Sequence, residues 1–167
     1  ELLCSDLSGN LEALESLLDN APLQVFAHNV ETVRRLTPRV RDPRATFEQS
    51  ILILKKAKEL RPDIMTKSSI MLGLGETEED IIETFSELRD VEVDLLTLGQ
   101  YLAPGPSYLP VVSFPKPERF DKLANVAKEM GFRAIASGPM VRSSYRAESL
   151  VAAANGQTFD SELKVVA

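Results

Sequence analysis

Apolar positions along the chain fall into an alternating series of short runs and helical stripes. Residues 1–4 form a brief apolar run. The turn Ser8-Gly9-Asn10 then precedes Leu11, Leu14, Leu17 and Leu18 at helical spacing. A second run, Leu23 to Ala27, leads through His28-Asn29-Val30-Glu31-Thr32 to a helical turn that Pro38 is expected to end. Thr46 is placed to cap a helix with Phe47, Ile51, Leu54, Ala57 and Leu60 on its apolar face, closed by Pro62. Asp63 to Leu72 suits another strand. It runs into Gly73-Leu74-Gly75-Glu76 and an acidic helix start, Thr77-Glu78-Glu79-Asp80, which suits the positive end of a helix dipole. That helix should reach about Asp90, and Asp94 to Leu102 is a further buried run. Residues 103–117 hold five of the ten prolines, which predicts a long surface loop. Residues 118–130 read as a helix ended by Gly131, and 133–136 as a last strand. From about Ala147 the chain is expected to be a weakly structured tail or a short helix.

Strand and helix alternating at these intervals imply right-handed crossovers, hence a parallel sheet with helices on its outer face. The fold class is α/β. Four or five βα units are too few to close an eight-stranded barrel, so the sheet is an open one or an arc of a larger barrel. In either case ligands sit at the carboxyl ends of the strands.

Composition narrows the classes. The chain has 167 residues, 44% hydrophobic and 26% charged, as expected of a domain that buries a core. A net charge of −6 gives no attraction to nucleic acid phosphates or anionic lipid, and no apolar stretch is long enough to span a membrane. Neither partner is expected. The single Cys4 excludes an internal disulfide, cannot alone supply a zinc or cluster site, and suggests a reducing compartment. The chain opens at Glu1, without Met, inside an apolar run. It reads as part of a longer polypeptide.

The strand-end rule selects candidate site residues: His28, Asn29 and Glu31; Gly73, Gly75 and Glu76; Gln100 and Tyr101; Ser137-Gly138 and Arg142-Ser143-Ser144-Tyr145. Gly73-Leu74-Gly75-Glu76 permits close backbone approach and offers helix N-terminal amides, which suits a nucleoside or anion; the plainer reading is a tight turn needing positive φ. For His28 the plainer reading is a satisfied loop histidine, for the two serines a polar turn, and for Cys4 a small buried hydrophobe. No nucleophile, base and orienting group can be assembled from spacing alone.

Four ordered segments carry a more specific signal: Phe26-Ala27-His28-Asn29-Val30-Glu31-Thr32-Val33, Lys67 through Thr77, Leu98-Gly99-Gln100-Tyr101-Leu102, and Ala136 through Tyr145. Over residues 1 to about 148 the chain resembles lipoyl synthase, of the radical S-adenosylmethionine enzymes. The resemblance implies a partial (β/α) barrel, with residues 1–146 its C-terminal part and 147–167 a tail. It also implies insertion of two sulfurs, at C6 and C8, into a protein-bound octanoyl-lysine. Two 4Fe-4S clusters and S-adenosylmethionine are the implied cofactors. One cluster sits on a Cys-x3-Cys-x2-Cys loop, and the other uses three cysteines and a serine of the Arg-Ser-Ser-Tyr motif. This chain lacks both cysteine motifs, so alone it is expected to be inactive.

Carried over by residue, Ser144 is the expected cluster ligand, with Ser143 second, and Arg142 and Tyr145 hold that segment across the mouth. Asn29, Glu31, Gly73, Gly75, Glu76 and Gln100 match cofactor-facing positions. The implied partners are an octanoylated lipoyl carrier domain or glycine cleavage H protein, and an electron donor such as ferredoxin or flavodoxin. The implied location is a bacterial cytoplasm, with a mitochondrion or plastid as the alternative. Ala27 stands where relatives usually have Asn, and Pro104-Gly105-Pro106-Ser107-Tyr108 replaces a more basic run. Two other readings are a biotin-synthase-like enzyme and a cluster-free half-barrel acting as a binding module.

Overall fold

The computed structural model of the chain describes residues 1–19, 21–144 and 147–157, and the backbone of 165–166. Five parallel strands follow one another in chain order: β1 (Leu2–Leu3), β2 (Val25–Ala27), β3 (Met65–Leu72), β4 (Leu95–Gln100) and β5 (Ala134–Ser137). A sixth, β6 (Val165–Val166), pairs antiparallel with β5. This edge strand was not expected. Between the strands run α1 (Leu11–Asp19), the short α2 (Thr37–Val40), α3 (Phe47–Leu60), α4 (Glu78–Asp90) and α5 (Pro117–Glu129), and α6 (Ala147–Ala154) follows β5. The architecture is the expected α/β one.

Local chemistry explains most boundaries. Thr46 accepts a hydrogen bond from the Gln49 amide at the start of α3. Thr77 and Asp80 form a reciprocal capping box that starts α4 three residues after its glycine-rich turn. Pro38 behaves differently from expectation. It lies in the first turn of α2, where its missing N–H has no partner to lose, so it begins that helix rather than ending it.

Strand alternation divides the core. On the outer face Ile70, Leu72, Leu96, Leu98 and Ile135 pack against Phe47 and Leu54 of α3, Ile81, Phe85 and Leu88 of α4, and Phe120 and Leu123 of α5. The inner face carries Val25, Met65, Leu95, Ala134 and Ala136, packed with Val141 and with Leu150 of α6. The expected tail therefore contributes a helix to the inner face. Beside these apolar residues lies Lys67, 1% exposed, its ammonium 2.7 Å from the Glu1 carboxylate. A buried ion of this kind is tolerated only with its partner in place.

The amino ends of the strands are tied by Asp94. Its carboxylate accepts from Lys58 Nζ at 2.8 Å and from the Thr66 amide at 2.8 Å, and Arg133 lies 3.8 Å away. Asp94→Ala should cost about 3 kcal/mol, because a buried amide and a half-buried ammonium lose their acceptor together. Urea titration measures this; a change under about 0.5 kcal/mol, the size of an ordinary surface substitution, would show that Asp94 ties nothing.

Candidate functional site

The carboxyl ends of the strands enclose a cavity of about 370 Å³, within the range of small-molecule sites. Asn29 and Glu31 line it after β2, Ser69 and Met71 from β3, and Gly99, Gln100 and Tyr101 from the end of β4. Leu102 and Pro104 add one wall, and Val141, Arg142 and Ser143 another. Asn29, Glu31, Gln100, Arg142 and Ser143 were chosen from sequence. They meet here.

Glu31 has a backbone φ of 66°, in the left-handed region that a non-glycine residue avoids. The surroundings impose it, since its amide donates to the Ser69 carbonyl at 3.0 Å and its carbonyl accepts from the Met71 amide at 2.9 Å. Strain of order 1 kcal/mol is thus stored at the cavity wall. Its carboxylate accepts from Asn29 Nδ2 at 3.1 Å, while Asn29 Oδ1 is buried without a partner. That pair offers a ligand one anionic and one neutral acceptor.

Two adjacent residues of β4 fix the walls. At Gly99 a Cβ would lie 2.3 Å from the Val141 carbonyl oxygen, so only glycine lets the segment after β5 seat against the strand. Gln100 Nε2 donates among the carbonyls of Leu72, Tyr101 and Ser113, at 3.1, 2.9 and 3.2 Å, and so pins the proline-rich loop. Tyr101 adds a hydrogen bond from its hydroxyl to the Leu109 carbonyl.

The glycine-rich turn is bonded within itself. Gly73, Gly75 and Glu76 do not line this cavity. The buried Glu76 carboxylate accepts from the Gly73 and Leu74 amides at 2.7 and 2.8 Å, and at the start of α4 the Thr77 amide donates to Asp80 at 2.8 Å. The glycines are explained instead by φ of 102° and 105° in the turn. The segment after β5 is divided. Arg142 is exposed and donates to the Val141 and Pro139 carbonyls at 2.7 and 3.3 Å. Ser143 is half-buried on the cavity wall, Ser144 is exposed and off it, and Tyr145 lies outside the described residues.

His28 has a structural part. Nδ1 lies 3.0 Å from the Cys4 carbonyl, which can only accept, so Nδ1 carries the proton. Nε2 lies 2.9 Å from Ser50 Oγ, a hydroxyl that also reaches the Thr46 carbonyl at 3.2 Å and accepts from Arg41 Nη1 at 2.6 Å; burial and the Arg41 charge favour the neutral ring. The ring links β1, β2 and α3 in neutral form. Cys4 is half-buried against the cluster around Leu14, Leu18 and Phe26, and burial pushes its thiol up. Among the described residues no group of three or more His, Cys, Asp or Glu is suited to a metal ion.

Sequence reasoning missed Ser69, Met71, Gly99, Leu102, Pro104 and Val141 as cavity residues. Period-two alternation along β3 carried the signal for the first two, because the inner-face residues beyond Lys67 are Ser69 and Met71.

Residues 1–88 match the radical SAM superfamily. The chain is 55% identical to a lipoyl synthase of Thermus thermophilus over 148 residues, covering 89% of this chain and 46% of that protein. It is 55% identical to a chloroplastic lipoyl synthase of Arabidopsis thaliana over 150 residues, covering 90% of this chain and 38% of that protein. It is 53% identical to one of Staphylococcus haemolyticus over 151 residues, covering 90% and 49%. The chain thus spans under half the length of each.

Burial foremost, with the Arg41 charge adding, lowers the His28 pKa below the usual 6.5 against the raising effect of the Cys4 carbonyl. A depressed pKa means that the unfolded state binds the proton first, so this stabilisation is complete above about 6.5 and is lost as pH falls below it. His28 is the sole histidine. Stability measured between pH 7.5 and 5.5 should therefore fall with acidity in the parent and stay level in His28→Gln; equal slopes would contradict the neutral ring.

Proposed function

The chain belongs to the radical SAM superfamily, and on that premise we propose that it forms one wall of the reaction cavity of a lipoyl synthase. That enzyme inserts two sulfurs, at C6 and C8, into an octanoyl chain carried as an amide on a carrier-domain lysine. The observation carrying this reading is the meeting of Asn29, Glu31, Gln100, Arg142 and Ser143, from three separated motifs, around one cavity.

The residues present fit S-adenosylmethionine in kind. A carboxylate held by an amide suits its ammonium group, and the unpartnered Asn29 Oδ1 suits a hydroxyl or amine donor. When bound with a 4Fe-4S cluster, this cofactor supplies radical abstraction of hydrogen from unactivated carbon. Two clusters are proposed for the whole enzyme. The described residues fit at most one coordination position, a serine oxygen, which is harder and weaker toward iron than thiolate. Ser143 is better supported than Ser144, because it lines the cavity and Ser144 does not.

The proposed partner is an octanoylated lipoyl carrier domain or H protein, with ferredoxin or flavodoxin as electron donor. Among the described residues the five most exposed large apolar side chains are Leu102, Tyr108, Val112, Phe114 and Met140, at 50% to 77%. All lie on the two segments that follow β4 and β5, and residues 102–115 carry no charge. Exposed apolar surface of this sort marks a contact face, and one of its members, Leu102, lines the cavity that a tethered acyl chain would enter. Bacterial relatives support a cytoplasmic location, and a chloroplastic relative supports the plastid alternative.

The test is anaerobic reconstitution of the whole enzyme with iron and sulfide, reading cluster content, spectra and lipoyl product on an octanoylated peptide. Ser143→Ala should lower product by at least about tenfold and alter the cluster spectrum. Ser144→Ala should leave both near the parent. An unaltered spectrum and full activity in Ser143→Ala would remove the serine assignment.

A further inference from the structure

The inner face of the sheet carries polar side chains, at and beneath the cavity, that the protein itself leaves unsatisfied. Thr97, in the middle of β4, is 1% exposed, and its hydroxyl has no hydrogen-bond partner. Alternation places Thr97 on the same face as Gly99, which lines the cavity. Register places it directly beside Ser69, which also lines the cavity and is 7% exposed. Asn29 Oδ1, on the neighbouring wall, is the third member of the set, buried and unpartnered. Valine would fill the Thr97 position at similar volume without burying an unbonded hydroxyl. A hydroxyl that costs stability where it stands calls for a role outside the fold.

Among the described residues no unpaired cation stands between Ser69 and Thr97. Lys67 lies on the same face as Ser69, two residues before it, but its ammonium is held by Glu1 at 2.7 Å. Glu31 is left to a cationic group of the ligand, and Arg142, whose Nη1 donates to two carbonyls, stands on the wall beside Ser143. What is left toward the floor is two hydroxyls, each able to donate and accept, and one carboxamide oxygen that only accepts. An anionic group there would face the Asn29 oxygen lone pairs and the Glu31 carboxylate. An uncharged group with a donor and an acceptor would complete every member.

We propose that Thr97 and Ser69 form the floor of a binding subsite that takes an uncharged hydroxyl or carboxamide group of the ligand. This rests on the functional reading above, under which two sources carry such a group: the ribose hydroxyls of S-adenosylmethionine and the amide joining the octanoyl chain to lysine.

The experiment measures equilibrium binding of S-adenosylhomocysteine and, separately, of an octanoyl-lysine peptide to the whole enzyme. Thermal midpoints are recorded without ligand for the parent, Thr97→Val and Ser69→Ala. Thr97→Val should weaken one probe about tenfold, the equivalent of one hydrogen bond. The probe it weakens identifies the source, and Ser69→Ala should weaken the same one. The ligand-free midpoint of Thr97→Val should be unchanged or raised by about 2 to 4 °C. Parental affinity for both probes overturns the subsite, and a midpoint lowered by several degrees shows that the hydroxyl serves the fold and overturns it equally. Failure of the parent to bind either probe sinks the functional reading instead, and the midpoint of Thr97→Val still decides whether its hydroxyl is spare.

Discussion

The cavity depends on two consecutive residues at the end of β4. Gly99 removes the one Cβ that would collide with the Val141 carbonyl, and Gln100 spreads its amide over the Leu72, Tyr101 and Ser113 carbonyls. Neither segment they hold has regular structure of its own, and each must find partners for backbone groups that no ladder supplies. A loop with five prolines donates few amides, so a side-chain donor that reaches its carbonyls is an economical anchor. The same strand end thus sets the distance between the two walls. Gly73 repeats the device from the β3 side, since a Cβ there would lie 2.4 Å from both Gln100 Nε2 and the Ser113 carbonyl oxygen.

The alternation of elements was legible because parallel strands buried on both faces read as continuous apolar runs, and the helices between them carry one clear stripe each. The cap Thr46 was legible because it precedes its stripe at the right spacing, and the acidic start of α4 was legible from Thr77-Glu78-Glu79-Asp80. Pro38 was misread because a proline both starts and stops helices, and only the backbone shows which. The pairing of Val165–Val166 with β5 was invisible, since two apolar residues have no periodicity.

The site was legible in position more than in orientation. Strand ends named the residues near the mouth, but a βα turn can satisfy itself. Glu76 does so by accepting from the Gly73 and Leu74 amides. Ser143 and Ser144 differ only in which way an irregular segment turns, and no pattern in the sequence encodes that. His28 illustrates the opposite outcome: its plain reading as a satisfied group stands, with each ring nitrogen assigned a partner.

Stability and chemistry occupy opposite ends of the sheet, which explains how a strained and under-bonded cavity is tolerated. The amino ends carry the fully partnered ionic set of Asp94, Lys58 and Arg133, below the largest apolar cluster. The carboxyl ends carry left-handed Glu31, and the bare hydroxyl of Thr97 lies beneath them in the middle of β4. A few kcal/mol of cost at one end is sustainable only if the other end holds register without help from it, because parallel pairing transmits a slip along the whole strand. β3 makes that separation possible. Its eight residues run from Met65, next to the Asp94-bound Thr66 amide, to Leu72 beneath the cavity wall, and six of them are in register with β4. The strand is anchored where nothing reacts, so its far end is free to present polar groups to a ligand rather than to the fold.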